Sequence, residues 1–155
     1  MKYFMNAMKG ALLAVVATAL ISVPAMAGEY KGPSLSGQTV TISGPWLTAD
    51  EESFEAVIAY FEKATGAKVE YAGSDSFEQQ IVIDIKAGSP PNLAAFPQPG
   101  LAANMAAIGG LVPLGSSTAN WVKSNYAAGQ SWVDLGTYPS KSGKKEFYGF
   151  FFNVN

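Results

Sequence analysis

The sequence predicts an α/β domain in the order βαβαβα, built around a mostly parallel sheet. Three observations carry this. Short runs in which polar and apolar residues alternate are interleaved with longer runs whose apolar residues recur at spacings of three and four. Glycine or proline punctuates each change of period. The runs between successive strands are long enough for the helical crossovers that parallel neighbours need.

The first residues stand outside this pattern. Lys2 and Lys9 precede the apolar run Ala11–Val23, Pro24 follows it, and Ala25-Met26-Ala27 is an A-x-A cleavage site. This is the layout of a secretory signal peptide, residues 1–27, and the run is shorter than the ~20 residues that span a bilayer comfortably. Residues 28–155 would then be the mature chain, exported to the periplasm.

Its elements follow in order. After a Gly/Ser/Pro leader, Thr39–Ile42 alternates as a strand and Ser43-Gly44-Pro45-Trp46 breaks it. Thr48 and Glu51 have the spacing of a capping box that opens a helix. Phe54, Val57, Ile58 and Phe61 place an apolar stripe on one face of that helix, and Thr65-Gly66 ends it. Ala67–Ala72 alternates again. Ser76 and Gln79 offer a second capping box, and Phe77, Ile81 and Ile85 carry the inward face to Ala87-Gly88. Leu93–Phe96 reads as a third strand, Pro97–Gly100 as a loop, and Leu101–Ile108 as a helix stopped by Gly109-Gly110. A further helix is expected over Thr118–Ala128, a polar turn over Ser140–Lys145, and a buried strand over Phe147–Val154.

The missing residue types exclude much chemistry. The chain has no histidine and no cysteine, and all ten basic residues are lysine against twelve acidic ones. Zinc or copper sites built on His or Cys are excluded, as are Ser-His-Asp and Cys-His catalysis. Without arginine there is no bidentate fork for phosphate or carboxylate. An acidic chain without basic clusters does not bind nucleic acid. No cofactor is implied. Carboxylates, amides, hydroxyls and aromatic faces remain, which suit a neutral, hydroxyl-rich ligand.

In an open α/β sheet, ligands bind beyond the carboxyl ends of the strands. The sequence places Trp46 after the first strand, Asp75 after the second, and Phe96 and Gln98 after the third. Aromatic rings cover the C–H face of a pyranose, and Asp, Gln and Asn pair with its hydroxyls. Each has a plainer reading: Trp46 as a lid on the core, Asp75 as a helix cap, Phe96 as core, Gln98 as a loop brace. Asp50-Glu51-Glu52 falls in a helix first turn, where negative charge suits the dipole.

The phrases FEKATGAKVEY, AGSPPNLAAF and KKEFYGFFFNVN, in this order and spacing, resemble the extracellular solute-binding proteins of bacterial carbohydrate ABC transporters. The likeness is to the maltose-binding-like group and its α-glucoside-binding branch, and it covers essentially all of the mature chain. It implies a type II periplasmic-binding fold of two lobes that close on a sugar. It also implies docking on an inner-membrane permease, and a monomer at full length. By this resemblance Trp46, Asp75, Phe96, Gln98, Asn153 and Asn155 face the cleft. Pro97 and Pro99 depart from the family, which often has polar groups there. Relatives cross into a second lobe shortly after the YGF phrase, so the chain is expected to be part of the amino-terminal lobe, with EFYGFFFNVN at the doorway. Two other readings remain: a small secreted carbohydrate-binding module, and a glycoside hydrolase fragment. The latter needs a second carboxylate opposite Asp75, and none is evident.

Overall fold

The computed structural model describes residues 30–152. The expected signal segment, residues 1–27, and Asn153 and Asn155 lie outside the described residues. The alternating runs form β1 (Thr39–Gly44) and β2 (Lys68–Gly73), and the run after Pro90-Pro91 forms the short β3 (Leu93–Ala94). They make one parallel sheet in the order β2-β1-β3. β1 pairs with β2 from Thr39 opposite Lys68 to Gly44 opposite Gly73, and its Ile42 and Ser43 pair with Leu93 and Ala94 on the other side. Asn92 pins that second junction. Its Oδ1 accepts from the Thr41 amide at 2.9 Å, and the Thr41 hydroxyl accepts from the Asn92 amide at 3.0 Å.

The crossovers are α1 (Ala49–Thr65) and α2 (Phe77–Ala87). With right-handed crossovers, a central β1 flanked by β2 and β3 puts α1 and α2 on opposite faces of the sheet. Both helices end at the glycines the sequence marks, Gly66 at φ 78° and Gly88 at φ 76°. Their starts differ from expectation, because neither capping box forms. Thr48 lies at φ 55° and makes no cap bond. Ser76 donates to Asp75 Oδ1 at 3.0 Å instead, while the Ser76 amide goes to the Ser74 hydroxyl at 3.1 Å. Short polar side chains have such local alternatives to a cap.

The α1 stripe is only partly used. Phe54 and Ile58 are half-buried, whereas Val57 and Phe61 are 64% and 41% exposed. The core lies on the α2 side of the sheet, with Phe77 and Ile81 of α2 and Met105 and Ala106 of α3 (Pro99–Ala107) all buried. Pro99 occupies the first turn of α3, where a missing amide hydrogen costs nothing.

Beyond the sheet the chain departs further from its sequence reading. The helix expected over Thr118–Ala128 is α4 (Gly115–Asn125), and a second helix that the sequence reading did not mark, α5 (Gly129–Leu135), follows it. They meet so closely that a Cβ on Gly129 would lie 2.3 Å from the Lys123 carbonyl oxygen. A hairpin follows, β4 (Thr137–Pro139) antiparallel to β5 (Lys145–Phe147), around the expected polar turn. The strand expected over Phe147–Val154 is not there in the described part. Pairing ends at Phe147, and Tyr148–Phe152 continue outside any sheet, with Phe150 48% and Phe152 60% exposed.

The reason is that Tyr148, Phe151 and Phe152 each pack on a different partner rather than together on a pleated face. Tyr148 stacks on Tyr138 with centroids 6.3 Å apart, Phe151 packs on Trp132 at 5.5 Å, and Phe152 packs on Trp46 at 5.2 Å. The segment is thus a strap held on the α5–hairpin unit by Tyr148 and Phe151, from which the exposed Phe152 reaches the Trp46 turn. Among the described residues, no helix is long and apolar enough to cross a membrane.

Candidate functional site

The strand order makes β1 and β3 the point where the chain reverses its direction of travel across the sheet. In open α/β sheets the crevice beyond the carboxyl ends of the strands, at such a reversal, is where ligands sit. The segments leaving β1 and β3 carry Trp46 and the pair Phe96 and Gln98.

Trp46 is held by contacts with three residues. Its amide donates to the Tyr71 phenolic oxygen at 2.9 Å, and that hydroxyl donates back to the Trp46 carbonyl at 3.2 Å. Its ring lies 4.8 Å from Phe54 and 6.0 Å, nearly parallel, from Tyr71. Phe152 meets it edge-on at 5.2 Å. The turn carrying Trp46 also depends on Gly73, where a Cβ would stand 2.1 Å from the Trp46 carbonyl oxygen. No side chain fits there without moving backbone.

Tyr71 is a residue that sequence reasoning missed. It reads as one more alternating position of β2, and nothing local marks its hydroxyl as the clamp on a turn 25 positions away. Burial raises its pKa above the ordinary 10.0; the bond from the Trp46 backbone opposes this, and the nearby Glu51 charge adds to it. A folded-state pKa above the unfolded one means that the stabilisation is complete below about pH 10 and is lost as pH rises through the folded value. Tyr71→Phe is expected to lower stability by about 1 kcal/mol at neutral pH, the typical worth of such hydrogen bonds. It should also flatten the loss of stability above about pH 10. Urea midpoints of both proteins across that range check this. An alkaline loss that Tyr71→Phe leaves unchanged would place its origin elsewhere, for example at Tyr138, whose pKa burial also raises.

Phe96 rests edge-on against the buried Phe77 with centroids 5.8 Å apart, so the base of α2 fixes its height. Gln98 donates to Glu78 Oε1 at 3.3 Å, joining the starts of α2 and α3. Both line an open groove of about 390 Å³ that Tyr148, Phe150 and Phe152 also line. Asp75 follows β2, on the far side of β1, is exposed, and accepts a bond from Ser76. It does not line that groove. The structure thus joins Trp46 to the Phe96–Gln98 groove through Phe152, and leaves Asp75 apart. Asn153 and Asn155 fall outside the described residues. Phe152 and Tyr148 were not singled out in the sequence, where the aromatic run reads as one uniform buried strand.

Among the described residues no cluster of three or more acidic side chains could hold a metal ion. An apolar, ring-lined edge with scattered amides and hydroxyls offers stacking and hydrogen bonding.

Comparison with known proteins agrees with this architecture. The family of bacterial extracellular solute-binding proteins matches residues 44–153. The chain is 54% identical over 125 residues to the alpha-glucosides-binding periplasmic protein AglE of Rhizobium meliloti (strain 1021), covering 81% of this chain and 27% of AglE. It is 37% identical over 124 residues to the osmoprotective compounds-binding protein GgtB of Synechocystis sp. (strain ATCC 27184 / PCC 6803 / Kazusa), covering 77% of this chain and 29% of GgtB. Among solved structures, the protein CpMnBP1 with mannotriose bound superposes with a TM-score of 0.52 at 18% identity, over 73% of this chain and 28% of that one. That likeness is one of fold. The chain spans less than a third of the length of these relatives. On the match over residues 44–153, this chain belongs to the bacterial extracellular solute-binding protein family.

Proposed function

We propose that the chain is part of the amino-terminal lobe of the substrate-binding component of a bacterial ABC importer for neutral α-glucosides. In this reading residues 1–27 direct export to the periplasm and are removed, and residues 28–155 contribute one wall of a cleft. A second lobe closes over the sugar, and the loaded protein docks on an inner-membrane permease. Trp46 and Phe96 stack on pyranose faces, and Gln98, with Asn153 and Asn155, pairs with hydroxyls. Asp75 reaches the ligand from the far side of β1 once the cleft closes.

The 54% identity with AglE is the observation that carries the substrate class. The described residues support it in kind: rings line the edge at the reversal point, and the sequence contains no arginine or histidine with which to hold an anion. A binding protein of this family needs no catalytic group.

The test is a chimera in which this chain replaces the matching segment of AglE, titrated calorimetrically. Micromolar binding of maltose, sucrose or trehalose is the expected result, about 8 kcal/mol of affinity. Binding of glycine betaine with no response to any disaccharide would contradict it and favour the kind of ligand for which GgtB is named. This chain alone presents one wall of the cleft and is expected to bind a disaccharide only in the millimolar range, about 4 kcal/mol.

A further inference from the structure

One side chain belongs both to the groove beside β3 and to the Trp46 turn. Phe152 packs edge-on against Trp46 with centroids 5.2 Å apart and also lines the groove that holds Phe96 and Gln98. The other two rings against Trp46, Phe54 and Tyr71, are half-buried and contact each other at 5.2 Å. Phe152 is 60% exposed. Phe152 therefore bridges the Trp46 turn and the groove while leaving much of its own ring open to solvent.

The ring is also held from behind. Tyr148 donates its amide to the Gly136 carbonyl at 2.9 Å, and Phe151 packs on Trp132 of α5, so the strap fixes the position from which Phe152 projects. An exposed phenyl ring held in one place beside a tryptophan forms a corner of two aromatic surfaces at a steep angle, 79°. Such a corner offers a pyranose two apolar surfaces at once and gives an ionic ligand nothing to pair with.

We propose that Phe152 is a ligand-contacting, specificity-determining residue that completes an aromatic corner with Trp46 for the C–H face of a neutral pyranoside. The proposal rests on the sugar reading above and adds to it a residue and a subsite. Phe152 contributes by contact with the ligand rather than by supporting the fold, because a ring this exposed adds little to stability.

The experiment uses the full chain labelled with 5-fluorotryptophan, followed by fluorine NMR during titration with trehalose. The Trp46 resonance is assigned by Trp46→Phe. In the parent chain, trehalose is expected to move that resonance with millimolar affinity. Phe152→Ala is expected to weaken the affinity about three- to tenfold, the worth of one aromatic contact, with an unchanged thermal midpoint. Phe152→Tyr is expected to restore it. An affinity in Phe152→Ala equal to the parent's, or tighter, overturns the proposal while leaving the sugar reading intact. A Trp46 resonance that trehalose does not move in the parent chain overturns both.

Discussion

Phe77→Ala is expected to remove about 3–5 kcal/mol of folding stability, the usual cost of deleting a buried phenyl ring. Phe77 is 1% exposed and stands at the first residue of α2, where the helix leaves the sheet edge. Deletion opens a cavity between α2 and the sheet that Ile81, also fully buried, cannot fill from its place one turn on. With a total stability of about 5–15 kcal/mol typical for a domain, this is enough to leave the chain partly unfolded at 37 °C. The same ring supports Phe96 at 5.8 Å, so ligand affinity should fall with stability. Phe77→Leu, which keeps apolar volume, should recover most of the stability but less of the affinity, because it loses the edge-on contact. Urea unfolding of the three proteins checks this; a loss under about 1.5 kcal/mol for Phe77→Ala would mean that the site collapses without a cavity.

The second large effect falls on Trp46. In the AglE chimera, Trp46→Ala is expected to weaken disaccharide binding about ten- to a hundredfold, or about 1.4–2.7 kcal/mol. An indole supplies more stacking surface than any other side chain, and this one is fixed in advance by the paired bonds to Tyr71 and by Phe54 behind it. Preorganisation of this kind keeps the ordering cost out of the binding step. Trp46→Phe should retain most of the affinity. Calorimetry decides: a loss below about 0.5 kcal/mol in Trp46→Ala would put the indole among the rings that only cover the core.

The parts of the fold legible in the sequence are those whose burial is periodic. β1, β2, α1 and α2 fall close to where alternation, apolar stripe and terminal glycines place them, because their pairing partners or inward faces repeat along the chain. The parts that were not legible depend on single contacts. The capping boxes fail because Thr48 adopts a positive φ, and because Ser76 finds Asp75 before it finds an amide. α5 is short, and the glycines at its two ends, Gly129 and Gly136, answer to the close approach of Lys123 and of Gly149, which no local pattern shows. The aromatic run after Phe147 looks like a strand because composition reports hydrophobicity and not direction. Its rings point to three different partners, which alternation cannot encode.

The site divides along the same line. Placing candidates at the carboxyl ends of strands needs only the strand order; it puts Trp46 on the segment leaving β1, and Phe96 and Gln98 on the segment leaving β3, where they line the groove. It also gave Asp75, which the order β2-β1-β3 then sets on the far side of β1. Tyr71, Gly73 and Phe152 act through contacts between distant segments, so no local pattern announces them.

On the proposed function, the edge beyond β1 and β3 is the sugar-bearing surface of this chain. Mapping amide chemical shifts of the labelled chain during a trehalose titration tests it most directly. Saturable shifts are expected at Trp46, Phe96, Gln98 and Phe152, with the exposed faces of α1 and α4 unmoved. Saturable shifts confined to α1 or α4, with Trp46 and Phe96 unmoved, would contradict it.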